Sequence, residues 1–72
     1  MILTQPMLEV LRVLEEHPSL DHLQIAARAE LSVTEATNSV RALAEEHILT
    51  DKEGVFSLDR QGFKLFFEKT YQ

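Results

Sequence analysis

The sequence predicts a mainly α-helical domain that carries one short β-hairpin. Apolar residues recur at helical spacing in several segments, and two short β-prone runs flank a glycine. A chain of 72 residues is long enough for one small domain. We therefore expect residues 1–72 to form a single domain around a three-helix core.

Composition limits the kinds of site that the chain can build. It contains no cysteine, so disulfide bridges and thiolate metal sites are excluded. The segment MILTQPM lacks the basic region and long apolar core of a signal peptide. No apolar run approaches the roughly 18 residues that a membrane span needs. We expect a cytoplasmic protein without a membrane partner.

Charge is distributed unevenly along the chain, whose formal net charge is −5. Residues 1–46 contain three arginines and eight carboxylates, whereas residues 47–72 contain four cations and four carboxylates. Nucleic-acid-binding domains usually carry a basic stripe, because neutralised phosphates supply much of their affinity. The acidic first part favours instead a protein partner with a basic surface.

The first helix is predicted from an N-cap at Thr4 to Glu16, ahead of Pro18. Its apolar residues cover an arc of roughly 220°, wider than the stripe of a one-sided surface helix. These residues are Met7, Leu8, Val10, Leu11, Val13 and Leu14. Either the helix is wedged between others in one core, or part of it forms a dimer or partner surface. Met7, Val10 and Val13 are the candidates for such a surface.

A helix-turn-helix is predicted at about residues 21–46. Asp21 is the expected N-cap of its first helix, and Leu31 is expected to fill the turn. Ser32 and Glu35 have the spacing of a capping box that starts the next helix, over Val33 to about Glu46. The expected buried residues are Leu23, Ile25, Ala26, Ala29, Ala36, Val40, Leu43 and Ala44.

The outer side of this third helix carries the candidate DNA-reading residues. They are Thr34, Thr37, Asn38 and Arg41, with Glu45 in the same stripe. Arginine can bond guanine and asparagine can bond adenine through two hydrogen bonds each, and threonine suits backbone or methyl contacts. The alternative is an ordinary solvated helix face.

A short hairpin at about residues 48–58 and a closing helix are predicted for the last part of the sequence. The β-prone runs Ile48–Thr50 and Val55–Leu58 flank a turn with Lys52 at its tip. Asp59 is expected to cap the last helix, over about residues 60–71, whose aromatic stripe is Phe63, Phe66, Phe67 and Tyr71. Leu65 points away from that stripe, and with Phe66 it is a second candidate for a dimer or partner surface.

This order of elements is that of a winged helix-turn-helix. The runs LTQPMLEVLRVLEEHPSLDHLQIAARAELSVTEATNSVRALAEEHIL and FSLDRQGFKLF resemble the DNA-binding core of the multiple-antibiotic-resistance-regulator (MarR) family. The resemblance implies major-groove contacts at the four outer residues of the third helix and a wing-tip contact at Lys52. His47 stands where such domains usually have glycine, the wing is shorter, and the long dimerisation helices of that family are absent.

Two functions follow as expectations. The first is a small DNA-binding protein, acting as a transcriptional regulator and as a homodimer through its first or last helix. The second is a winged-helix module that binds proteins, as an adaptor or an acidic inhibitor, without binding DNA. We expect neither enzymatic activity nor a cofactor. We expect no metal site, because His17, His22 and His47 lack the spacing of metal ligands.

Overall fold

Residues 3–71 form four helices and a three-stranded antiparallel sheet. The computed structural model describes the backbone of residues 3–71 and the side chains of residues 3–68. Its elements in chain order are α1 (Gln5–Glu16), β1 (Leu20–Asp21), α2 (His22–Ala29), α3 (Val33–Glu45), β2 (Leu49–Lys52), β3 (Val55–Leu58) and α4 (Arg60–Tyr71). The mainly helical, winged-helix-like arrangement predicted from the sequence is confirmed.

The sheet has one strand more than the predicted two-stranded hairpin. β1 pairs with β3 in antiparallel fashion, with Leu20 opposite Phe56, so that the strand order is β1-β3-β2. A strand of two residues is too short to show the alternation of apolar and polar side chains from which strands are predicted. Its pairing depends on β3, which lies far away in sequence.

The hairpin turn is tighter than predicted. Asp51 and Lys52 belong to β2, and only Glu53 and Gly54 lie between the strands. Both turn residues have positive φ, 55° and 85°, which is the combination of a type I′ turn. This turn matches the right-handed twist of paired strands, which explains why two residues are enough. Glycine adopts a positive φ without steric cost, which suits Gly54 to the second position of this turn.

Side-chain caps begin the helices at the predicted residues. Thr4 and Asp21 cap α1 and α2. Ser32 accepts a hydrogen bond of 3.0 Å from the Glu35 backbone, and Glu35 accepts one of 3.1 Å from the Ser32 backbone. This reciprocal capping box satisfies backbone donors that the first turn of α3 leaves without helical partners. The start of α3, and with it the orientation of its outer face, is therefore encoded locally.

The core lies between α1, α2, α3 and the inner face of the sheet. Its largest fully buried side chains are Leu14, Ile25, Leu43, Ile48, Val10, Val13 and Val40. One predicted core residue is wrong: Leu23 is 55% exposed. Leu23 lies about 200° around the helix from Ile25, so burying Ile25 turns Leu23 toward solvent.

The proposed dimer or partner surface requires a larger correction. Val10, Val13 and Phe66 are at most 7% exposed and belong to the core, so they cannot form an outer surface. The wide apolar arc of α1 is explained by its contacts with three elements, α2, α3 and β3. Met7 is partly buried against the core, whereas Leu65 is 57% exposed.

The last helix starts as predicted. The carboxylate of Asp59 accepts a hydrogen bond of 3.0 Å from the Gly62 backbone, and the Asp59 backbone donates one of 2.8 Å to the Ile48 carbonyl. These bonds place the start of α4 beside the end of α3. Phe66 is buried and Phe63 packs against the core, as expected of the aromatic stripe. The side chain of Tyr71 lies outside the described residues.

Candidate nucleic-acid interface

The outer face of α3 presents a polar stripe to solvent. Thr34, Asn38 and Arg41 follow one another at i, i+4 and i+7, and all three are exposed. Thr37, one turn before Arg41, is half-buried. The opposite face of α3 is fixed in the core by Ala36, Val40 and Leu43. The stripe is therefore held on a rigid helix, and its orientation is set by burial on the other side.

Arg41 also lies at the rim of a cleft between α3 and the hairpin. This open cleft has a volume of about 360 Å³. It is lined by His22, Thr37, Val40, Arg41, Ala44, Glu45, Asp51 and Phe56. Three of these side chains are apolar and form its floor, and three are charged. The structure thus brings two of the predicted site residues, Thr37 and Arg41, together with carboxylates.

The guanidinium of Arg41 makes no hydrogen bond or ion pair with the side chains of residues 3–68. Two other arginines are engaged. Arg12 donates to Glu9 at 2.9 Å, and this hydrogen bond and the charge of Glu9 raise the pKa of Arg12 above its usual value. Arg28 is within 3.3 Å of the His17 ring. Arg41 is thus available to a ligand.

Lys52 does not join Arg41 on one surface. Successive side chains of a strand point to opposite faces, and Asp51 lies opposite Phe56, whose side chain belongs to the core face. Lys52 therefore projects from the outer face of the sheet, together with its cross-strand partner Val55. The charged neighbours of Arg41 in its cleft are Glu45 and Asp51 instead.

Sequence reasoning did not include His22, Asp51 and Phe56 in the site. His22 opens α2, and the other two face the cleft because the register of the hairpin pairs them. A signal for this register exists in the sequence. Asp51 precedes Gly54 by three residues, and its carboxylate accepts a hydrogen bond of 3.0 Å from the Gly54 backbone. Aspartate often accepts such local hydrogen bonds from the backbone near turns.

A second, smaller cleft of about 240 Å³ lies where α4 meets the end of α3, lined by Glu46, His47, Gly62, Leu65 and Phe66.

Within residues 3–68, no group of three or more histidine and carboxylate side chains could hold a metal ion. None of the described helices combines the length and the apolar character that crossing a bilayer requires.

Comparisons of the chain with protein-family models, with curated proteins and with solved structures gave no match. The geometry and chemistry of the α3 face and its cleft are therefore the basis for inferring a function.

Proposed function

We propose that the protein binds double-stranded DNA through the outer face of α3 and acts as a small transcriptional regulator. The observation that carries the proposal is the exposed Thr34–Asn38–Arg41 stripe, in which Arg41 is unpaired among the described side chains. The stripe lies on the second helix of a helix-turn-helix, the helix that enters the major groove in such domains. The resemblance to the MarR family supports the same assignment.

Each residue of the stripe has a distinct role in this proposal. Arg41 donates two hydrogen bonds to a guanine, and Asn38 makes the paired donor and acceptor bonds that adenine offers. Thr34, in the first turn of α3, contacts the phosphate backbone, where the backbone N–H groups of a helix N-terminus also favour a phosphate. Lys52 contributes a phosphate contact from the outer face of the hairpin rather than within the Arg41 cleft.

The test is a titration of fluorescently labelled duplex DNA, of mixed sequence, at low salt. We expect weak binding, because few cations among the described side chains are free of ion pairs, and we expect it to fall as salt is added, because each phosphate contact releases counterions. Arg41→Gln should abolish most of this binding. Arg60→Gln is the matched control, since Arg60 is exposed at the start of α4 and outside the stripe. Absence of binding by the wild-type protein, or equal losses for both variants, would contradict the proposal.

A homodimer would present two α3 faces to successive major grooves, as many helix-turn-helix proteins do. Fewer residues are available for a dimer interface than the sequence predicted, because Val10, Val13 and Phe66 are buried. Leu65 on α4 is the exposed candidate that remains. Light scattering of the wild-type protein and of Leu65→Ser tests this: a dimer that the substitution dissociates supports an α4 interface, and a wild-type monomer contradicts it.

A second candidate function is protein recognition by an acidic surface. It is favoured by exposed carboxylates that form no ion pair with the side chains of residues 3–68, including Glu15, Glu45 and Glu46. Such carboxylates repel phosphates and attract a basic partner. The DNA titration separates the two candidates, because a module of this second kind leaves duplex DNA unbound even at low salt.

A further inference from the structure

The cleft between α3 and the hairpin carries charges of both signs that form no ion pair with one another. Arg41 and Glu45 are four residues apart on α3, the spacing at which side chains of opposite charge meet, yet they form no ion pair. Asp51 faces the same cleft from β2, and its carboxylate accepts a hydrogen bond from the Gly54 backbone rather than from Arg41. These three groups are accessible to a ligand.

Below the charged rim, the cleft has an apolar floor. Val40 and Ala44 supply it from α3, and Phe56 supplies it from β3. Phe56 is 9% exposed and Val40 is 2% exposed, so both are held in place by the core around them. Covering this floor with an apolar group lowers the free energy, because the group and the floor are both removed from water. The cleft therefore combines a rigid apolar surface with mixed charges.

We propose that this cleft binds a segment of a partner protein in which an apolar residue is followed by a basic one. The apolar side chain covers Val40, Ala44 and Phe56. The basic side chain lies between the carboxylates of Glu45 and Asp51, and Arg41 donates to a carbonyl oxygen of the bound backbone.

The charges that line the cleft indicate which class of molecule it binds. The rim offers two carboxylates and one guanidinium, which suits a cationic side chain beside a peptide carbonyl. A nucleic acid would bring phosphates toward both carboxylates, which repel them. The open shape of the cleft argues against a small free ligand, since typical small-molecule sites enclose most of the ligand surface. A side chain of a larger partner can enter while the rest of the partner packs outside.

Peptide binding in the cleft does not require DNA binding, but it would interfere with it. Arg41 takes part in both contacts, so a bound peptide segment and a bound duplex exclude each other. The protein would then respond to its partner by releasing DNA.

The test uses the full chain and peptides of defined sequence, observed through backbone amide chemical shifts. The probe is acetyl-Gly-Leu-Arg-Gly-amide. Acetyl-Gly-Leu-Glu-Gly-amide controls for the basic residue, and acetyl-Gly-Ser-Arg-Gly-amide controls for the apolar one. We expect the first peptide to shift the amides of Thr37, Arg41, Glu45, Asp51 and Phe56, and both controls to bind more weakly.

Protein variants assign the binding to the cleft. Glu45→Gln and Asp51→Asn should each weaken the first peptide by about threefold to fivefold, the effect of one exposed ion pair. Asp51→Asn keeps an oxygen that can accept from the Gly54 backbone, so the hairpin turn is preserved. Glu15→Gln is the matched control, because Glu15 is also exposed, helical and without an ion pair among the described residues.

Three results would overturn the proposal. The first is an absence of shifts at millimolar peptide, and the second is equal binding of the leucine–arginine peptide and either control peptide. The third is an equal loss for Glu15→Gln and Glu45→Gln, which would indicate diffuse attraction to an acidic surface. None of these readouts involves DNA, so the result stands apart from the outcome of the duplex titration.

Discussion

The carbonyl of His47 lies directly against Gly62. A Cβ atom added at position 62 would overlap the His47 carbonyl oxygen and lie 2.8 Å from its carbon. His47 itself has a φ of 61°, in the left-handed region that ends many helices. The turn after α3 and the first turn of α4 can therefore pack this closely only because residue 62 has no side chain beside the His47 carbonyl. This contact positions α4 relative to the helix that carries the candidate site.

Gly62→Ala should lower the free energy of unfolding by about 1–2 kcal/mol. Forcing a methyl group into a closely packed site costs about 1–3 kcal/mol, and the cost here lies at the upper end because the methyl group meets backbone atoms. The better helix propensity of alanine offsets up to about 1 kcal/mol. Chemical denaturation measures the change. Gln61→Ala is the control, because Gln61 is exposed in the same turn and should stay within about 0.5 kcal/mol of the wild type. A Gly62→Ala variant as stable as this control would show that the close approach does not exist.

His47→Gly should stabilise the protein by up to about 1 kcal/mol. The left-handed conformation costs a residue with a Cβ about 1–2 kcal/mol, and glycine gives back about 0.5–1 kcal/mol through the entropy of the unfolded chain. The hydrogen bond of 3.0 Å from the Ile48 backbone to the Leu43 carbonyl closes the same turn and should be retained.

The matched comparison for this position is His47→Val, whose branched side chain is least compatible with a positive φ. We expect its unfolding midpoint in denaturant to fall below that of the wild type, while that of His47→Gly rises. The opposite order of the two variants would contradict the left-handed conformation at position 47.

Local patterns made much of the fold predictable. The capping box of Ser32 and Glu35 and the end of α1 before Pro18 depend on residues only a few positions apart, and both were confirmed. β1 was missed because its pairing with β3 connects Leu20 to Phe56. Leu23 was misplaced because the rotation of α2 is decided by the burial of Ile25, a tertiary effect.

The aromatic residues of α4 were predicted as one stripe, but neighbouring positions differ in burial. Phe66 is 7% exposed, whereas Phe67 is 39% exposed. Phe66→Ala should therefore lower the free energy of unfolding by about 3 kcal/mol or more, through lost burial and the cavity that remains. Phe67→Ala should cost no more than about 1.5 kcal/mol. Equal losses in urea denaturation would indicate that α4 is rotated relative to the core.

The candidate site was only partly predictable for a similar reason. The stripe of Thr34, Asn38 and Arg41 follows from helical periodicity and could be found from the sequence. The cleft beside it depends on the register of β2 and β3, which brings Asp51 and Phe56 to the same face. The turn was expected over residues 51–54 but consists of Glu53 and Gly54 alone, so Lys52 was wrongly assigned to its tip.

Glu45→Gln should raise the affinity for duplex DNA, even though Glu45 contacts no base in the proposed complex. Glu45 lies one turn after Arg41 and lines the same cleft, so its charge repels the phosphates that flank the contact of Arg41. Removing it should strengthen binding at low salt by about threefold to fivefold, the size of one surface charge interaction, and less at high salt because of screening.

Glu15→Gln makes the same change of net charge on α1 and should alter DNA affinity less. A titration of both variants at two salt concentrations separates a local effect from an effect of net charge. Equal gains would mean that the overall acidity of the chain, and not the position of Glu45, limits binding. Because Glu45→Gln is also expected to weaken the basic peptide, one substitution should shift the two ligands in opposite directions. Shifts in both directions that exceed those of Glu15→Gln are expected of a carboxylate that lies beside both binding surfaces.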